Sequence, residues 1–190
     1  MTFHPVLPAP PALATLAEPT NPGEAIFARP WVSNNSLSMV SQTMLLTYWT
    51  AVTNGVATSV ITKSGDTAGA TLTYAAVGIY SVDGSGNLTK LTDTGDLHAT
   101  LWAGTFTGYT SALTPSFTRV IGQRYAVGYL VVGTTPPSLA GANPGSAFTS
   151  FETAAHRSAG SVSGQATLPA SVTAAGVATG PNMPCAIVTP

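Results

Sequence analysis

The stretch Thr71–Leu91, TLTYAAVGIYSVDGSGNLTKL, leaves a chain like this few folds to choose from. Between Leu72 and Val82 one set of alternating positions carries Leu72, Tyr74, Ala76, Gly78, Tyr80 and Val82, and the other carries Thr73, Ala75, Val77 and Ile79. A strand with one wet face shows a polar residue at every second position, and here neither set is polar in its middle. The segment therefore reads as a central strand in a sheet covered on both faces. The cluster Asp83-Gly84-Ser85-Gly86-Asn87 that follows consists of residues that tolerate positive φ, and it closes a hairpin onto a return strand.

The folded part begins at Trp31 and Val32, and Asn34-Asn35-Ser36 marks a turn. Segments 38–50, 56–63, 70–82, 87–92, 97–107, 116–121, 123–133, 160–167 and 183–189 read as strands, each bounded by Gly, Pro, Asn or Asp. No stretch carries a convincing helical stripe. Pro136-Pro137 and Asn143-Pro144-Gly145 mark a long loop over 138–158, with a short helix near Phe148–Arg157 as its one candidate element. Tyr74–Tyr80, YAAVGIY, is echoed by 125–130, YAVGYL; in both, a glycine sits among bulky residues, as expected where a large side chain approaches the backbone closely. The pattern predicts an all-β domain over 31–190, a two-layer antiparallel sandwich of jelly-roll type, and 190 residues suit one domain.

Residues 1–30 are different. Pro5, Pro8, Pro10, Pro11, Pro19, Pro22 and Pro30 are seven of the chain's 15 prolines, and no hydrophobic period survives among them. Fixed φ angles make the segment extended and lower the entropy lost on docking, so it reads as an arm outside the core that fastens the domain to something larger. The candidate contacts are Phe3, Pro5, Leu7, Pro10, Pro11, Leu13, Leu16, Ile26 and Phe27. Without a basic n-region, and broken by proline, the segment does not read as a secretory signal.

Composition narrows the function. Charged residues make up 7% of the chain, against roughly 25% in typical soluble domains, and Ser, Thr, Gly and Ala stand in their place. A net charge of -1 gives little colloidal repulsion, so much of the surface is expected to be covered in an assembly, with a homo-oligomer, a trimer among the options, as one form of it. Arg29, Lys63, Lys90, Arg119, Arg124 and Arg157 are scattered singly, which argues against a nucleic-acid partner. The single Cys185 excludes an intramolecular disulfide and a cysteine-based zinc site, and it reads as a small buried residue of a terminal strand. The longest apolar run, Tyr125–Val132, is too short to cross a bilayer as a helix, and no membrane partner is expected.

Catalytic chemistry finds little to work with. His4, His98 and His156 lie in no recognisable motif, and Asp96 and His98, two apart on one strand face, read as a surface polar pair. There is no Gly-x-Ser-x-Gly elbow, His-Glu-x-x-His or phosphate loop, so neither an enzyme nor a cofactor is expected. Asp83, Ser85 and Asn87 alternate like the first half of a calcium loop, but Thr94 stands where the closing glutamate belongs, and a hairpin turn is the better reading. Trp31, Trp49 and Trp102 are the aromatics with enough surface to stack on a sugar. Trp49 shares its register with Leu45 and reads as core; for all three, core or a subunit interface is the leading reading, and Trp102 is the glycan-stacking candidate.

The order of these pieces resembles β-sandwich virion proteins of tailed bacteriophages, especially those of actinobacteria. The resemblance rests on 77–88, VGIYSVDGSGNL, on Tyr125–Val132, on 157–172, RSAGSVSGQATLPASV, and on 184–188, PCAIV, and it covers about 38–190. It implies a non-enzymatic structural protein on the virion surface: a minor tail protein, a head fibre or a capsid decoration protein bound to the major capsid or tail protein. The chain has no long shaft of the kind a tail fibre carries, so the resemblance favours capsid decoration, with a minor tail protein or an adhesion module for cell-surface glycan as the alternative. It carries over no site residue, because the shared segments are scaffold.

Overall fold

The structure is a computed structural model and describes residues 24–25, 35–143 and 152–190. Its strands are β1 (Glu24–Ala25), β2 (Asn35–Ser38), β3 (Met44–Thr50), β4 (Gly55–Lys63), β5 (Ala70–Val82), β6 (Leu88–Asp93), β7 (Gly108–Arg119), β8 (Arg124–Thr135), β9 (Ser138–Ala142), β10 (Ala159–Val162), β11 (Ser171–Val172), β12 (Ala178–Thr179), β13 (Met183–Pro184) and β14 (Ala186–Thr189). One long antiparallel sheet runs β1-β14-β4-β7-β6-β5-β8-β3-β10-β12, and a small one runs β13-β9-β2. The long sheet folds over at the β6–β7 step, where Asp93 opposite Thr114 is the pairing between the two strands and the Thr92 hydroxyl donates to the Pro115 carbonyl. The layer β14-β4-β7 thereby comes to lie against the layer β6-β5-β8-β3, giving the all-β sandwich that the strand pattern predicts.

β5 is the central strand the sequence asked for, flanked by β6 and β8. Ala75, Val77 and Ile79 enter the core between the two layers with Val60, Leu113, Phe117, Val127, Tyr129 and Val188. Ala76, Tyr80 and Val82 enter a second core on the opposite face, with Met44, Leu46, Leu88, Leu130, Val162, Leu168, Val172 and Val177. The covering here comes from the carboxy-terminal third of the chain, so the middle layer is dry on both sides. Leu72 is the exception to the alternation. A bulge between Leu72 and Tyr74, next to Thr71 at φ 52, shifts the register, and Leu72 packs against the first core instead of joining Tyr74. One extra residue in a strand moves everything beyond it to the other face.

Gly78 and Gly128 lie directly opposite each other in β5 and β8. A Cβ on Gly128 would sit 2.8 Å from Met44 Sδ and 2.9 Å from the Tyr80 ring, and one on Gly78 would meet the same ring at 3.2 Å. The Tyr80 ring thus rests on bare backbone, and its hydroxyl donates to the Pro169 carbonyl at 3.1 Å. This is the close approach expected of glycines set among bulky neighbours. Several strand boundaries move, however. Residues 97–107 form turns instead of a strand, and β7 takes up the chain from Gly108 with Pro115 inside it. The proline is tolerated because Leu113–Ser116 leave the β4 ladder, whose pairs pass from Ala57–Phe117 to Ser59–Ala112. The segment 160–167 keeps only β10, and 183–189 breaks at Cys185 into β13 and β14, which join different sheets. The helix sought near Phe148–Arg157 is a single 3-10 turn, Ala154–His156, and 144–151 lie outside the described residues.

Of the arm, only Glu24–Ala25 falls within the described residues, as an edge strand pairing Glu24 with Val188 and Ala25 with Ile187. Its candidate contacts Phe3, Pro5, Leu7, Pro10, Pro11, Leu13, Leu16, Ile26 and Phe27, together with Trp31, lie outside them.

Two substitutions test the glycine seat. Gly128→Val should destabilise the fold by about 1–3 kcal/mol through overpacking, and Tyr80→Phe by about 1 kcal/mol through loss of the bond to Pro169. Urea unfolding midpoints measure both.

Candidate functional site

The polar groups that sequence reasoning singled out do not gather in one place: the Asp83 turn closes β5 after Val82, whereas Asp96 and His98 lie beside Ala75 in the other half of that strand. The β5–β6 turn comes first. Asp83 Oδ1 accepts the backbone N–H groups of Ser85 and Asn87, each at 2.9 Å, and Oδ2 accepts the Asn87 side-chain amide at 2.8 Å. Gly86 supplies the left-handed residue at φ 86. The other atom of that amide, Asn87 Oδ1, accepts the backbone N–H of Ala174 at 3.0 Å. Both groups that could begin a calcium loop therefore close their own hairpin and fasten a neighbouring segment to it. The Asn87 amide is the main cause holding the Asp83 carboxyl below the usual carboxylate range, followed by backbone N–H groups of the turn.

Beside the turn lie two arginines that the sequence showed only as isolated cations. Arg124, the first residue of β8, donates from Nη1 to the Ala155 carbonyl and from Nη2 to the Arg157 carbonyl, and its guanidinium lies 5.2 Å from the Tyr48 ring centroid. Arg157 Nη1 donates to the Ala174 carbonyl at 3.0 Å, while Glu152 Oε1 accepts the Ser158 N–H at 2.7 Å. Burial lowers the Arg124 pKa and raises that of Tyr48, against the pull of nearby Arg157. A planar fork reaching two carbonyls is a task for arginine in particular. The group ties the 152–158 segment to β3 and β8. Arg124 lies 31 and 33 residues from the two carbonyls it holds, so no local pattern reveals the group.

Asp96 and His98 do pair, Oδ2 to Nδ1 at 2.9 Å, and both are exposed. They sit in a loop and not on a strand face. Asp96 Oδ1 accepts the N–H groups of Ala75 and His98, and Thr94 Oγ1 accepts that of Val77 at 3.1 Å. Side-chain oxygens here replace the missing end of a ladder beside β5. Partial burial works to raise the Asp96 pKa, but the N–H donors of Ala75 and His98 outweigh it and the carboxyl stays below its ordinary value.

Trp102 corrects the glycan reading. It is fully buried, with φ 57 and Nε1 donating to Thr62 Oγ1 at 3.0 Å, so neither ring face is open to a sugar. Trp49 is core as expected, stacked 5.2 Å from Tyr125. Among the described residues, the large apolar ring presented to solvent is Phe106, 61% exposed at φ 50, its N–H bonded to the Gly65 carbonyl at 2.7 Å. The available signal was an aromatic isolated between Gly104 and Gly108 in an otherwise small, polar loop. Cys185 is half-buried, and burial raises its thiol pKa. Among the described residues no three His, Cys, Asp or Glu side chains come close enough to hold a metal ion.

Replacing Arg124 by Ala should cost about 2–3 kcal/mol, from lost charged hydrogen bonds and the stacked ring, and Arg124→Lys should not restore it; denaturant unfolding reads both. A second expectation concerns pH. Asp83, Asp66 and Asp96 all have lowered folded-state pKa values. Their contribution is therefore complete above the unfolded carboxyl value of about 3.9 and is lost as pH falls through the folded values. Thermal melts should show Tm level near neutrality and dropping below pH ~4, with the drop blunted in Asp83→Asn. No protein-family model matches this chain, and no curated protein matches its sequence.

Proposed function

We propose that the chain is a non-enzymatic structural protein of a bacteriophage virion, most directly a capsid decoration protein. In this reading the arm over 1–30 fastens it to the major capsid protein and the sandwich faces outward from the virion surface, in a homo-oligomer. The observation that carries the proposal is how the few charged groups are used. Arg124, Arg157, Glu152, Asp83, Asp66 and Asp96 bond to backbone and side chains of their own domain, so these charges serve to hold a stiff, doubly buried sheet and its loops together, beneath an exterior poor in charge. Such a domain suits bearing load and filling space in an assembly better than it suits acid–base chemistry.

Deleting residues 1–30 should abolish incorporation into particles while the domain keeps its cooperative melt, and undiminished incorporation would refute the proposal. Imaging of particles labelled on this protein separates a head position from a tail position. An adhesion module for cell-surface glycan is the second reading, and the exposed Phe106 ring is the observation on its side. In that case a glycan array should show binding that Phe106→Ala removes and Trp102→Phe leaves in place.

A further inference from the structure

The backbone strain of this domain is gathered at one end. Among the described residues, the non-glycine positions with positive φ are Gln42 at 62, Thr71 at 52, Trp102 at 57 and Phe106 at 50. All four lie where β5 begins and β8 ends. Thr71 stands between Ala70 and Leu72, which face Thr135 and Gly133. Gln42 N–H donates to the Val131 carbonyl, Gly69 N–H to the Trp102 carbonyl and Phe106 N–H to the Gly65 carbonyl. A side chain with a Cβ is disfavoured in the left-handed region, and such positions persist where surrounding bonds impose them, as they do at ligand sites.

At Phe106 the imposing bonds form a frame. Ser64 N–H donates to the Thr107 carbonyl at 3.0 Å, Thr107 N–H to Ser64 Oγ at 3.0 Å, and Gly104 N–H to the Tyr109 hydroxyl at 2.6 Å. What the frame holds out is an aromatic ring, whereas Val40, Val52, Val56, Leu91, Val120 and Ile121, the other large apolar side chains exposed among the described residues, are aliphatic. The same frame fixes a carboxylate. Asp66 follows Gly65, the residue bonded to Phe106, and is exposed. Its Oδ1 accepts the Ser138 hydroxyl at 2.8 Å and the Thr67 hydroxyl at 3.2 Å, and its N–H donates to Ser36 Oγ at 2.9 Å. The Ser138 hydroxyl, then that of Ser36, holds the carboxyl below the usual carboxylate range. Thr67, Thr105 and Thr107 are the exposed hydroxyl side chains of the two loops.

We infer that Phe106 and Asp66 form a carbohydrate-binding site at this end of the sandwich. The ring takes the C–H face of a neutral pyranose, and the carboxylate accepts hydrogen bonds from that sugar's hydroxyls. Because bonds within the domain already hold both loops in place, little order has to be created on binding. The inference rests on the adhesion reading above and supplies the residues that would perform it.

A glycan array probed with the full-length protein is the test, with Phe106→Ala, Phe106→Tyr and Asp66→Asn alongside. Binding should fall about tenfold or more in Phe106→Ala and in Asp66→Asn, and should be kept in Phe106→Tyr, which retains the ring. An unmoved Trp102 indole resonance reports that the frame is intact; should it move in Asp66→Asn, Phe106→Ala, which removes an exposed ring and no hydrogen bond, decides alone. Binding that survives an intact Phe106→Ala or Asp66→Asn variant overturns the site and leaves the adhesion reading standing. An array with no binding at all overturns both. Choline is the remaining control: if it shifts the Phe106 resonances while no glycan binds, the site takes cations and the inference is overturned.

Discussion

Everything in this domain follows from a pair of strands with no face left for water. β5 and β8 pair along most of their length, and the alternating sets of both strands enter apolar cores, one on each side. A two-layer sandwich covers only one face of such a sheet. The second face needs a further layer, and the chain provides it from 159–177, whose strands are too short to stand alone and which docks through Val162, Leu168, Val172 and Val177. Burial at roughly 1.5–3 kcal/mol per large apolar side chain offsets the entropy of ordering that strap. Tyr80 connects the two: its ring occupies the space left by Gly78 and Gly128, and its hydroxyl holds Pro169 of the strap.

With so few charges, polar attachment falls to specific hydrogen bonds. Lys90 illustrates this, with a backbone N–H bonded to the Ala170 carbonyl and a side chain that meets Asp93 at 2.8 Å. On the opposite side of the molecule, Ser138 Oγ donates to Asp66 and accepts the Thr67 N–H, joining the small sheet to the loop that precedes β5. Among the described residues, Asp66, Asp83, Lys90, Asp93, Asp96, Arg124, Glu152 and Arg157 are each committed to a contact inside the domain. Large apolar side chains nevertheless reach the surface, Val40, Val52, Phe106 and Ile121 among them.

Legibility in the sequence tracked the range of the interactions. The β5–β6 hairpin was readable because its strand, its Asp83 turn and its Gly86 are all local, and period 2 repeats for several residues. The Leu45–Trp49 register of β3 was readable for the same reason. Residues 97–107 were misread as a strand because threonine and tryptophan carry strand propensity, whereas the segment is held by Trp102 burying itself against Thr62. An aromatic with high propensity cannot say from its neighbours whether it points in or out. Trp102, the glycan-stacking candidate, is buried, and Phe106, which the sequence pattern did not single out, is exposed.

By itself the sequence determined the all-β class, the central strand with two dry faces, the turn chemistry of Asp83–Asn87 and the proline-rich character of residues 1–30. These depend on alternation, backbone dihedral preference and missing N–H groups, all of which act within a few residues. Only the tertiary structure decided which segment covers the second face, where one bulge sends Leu72 to the opposite core, that Arg124 and Arg157 belong to one cluster, and that the aliphatic side chains of two distant loops share one end. Those outcomes turn on contacts between residues tens of positions apart, and such contacts exist only once the sheets have closed on one another.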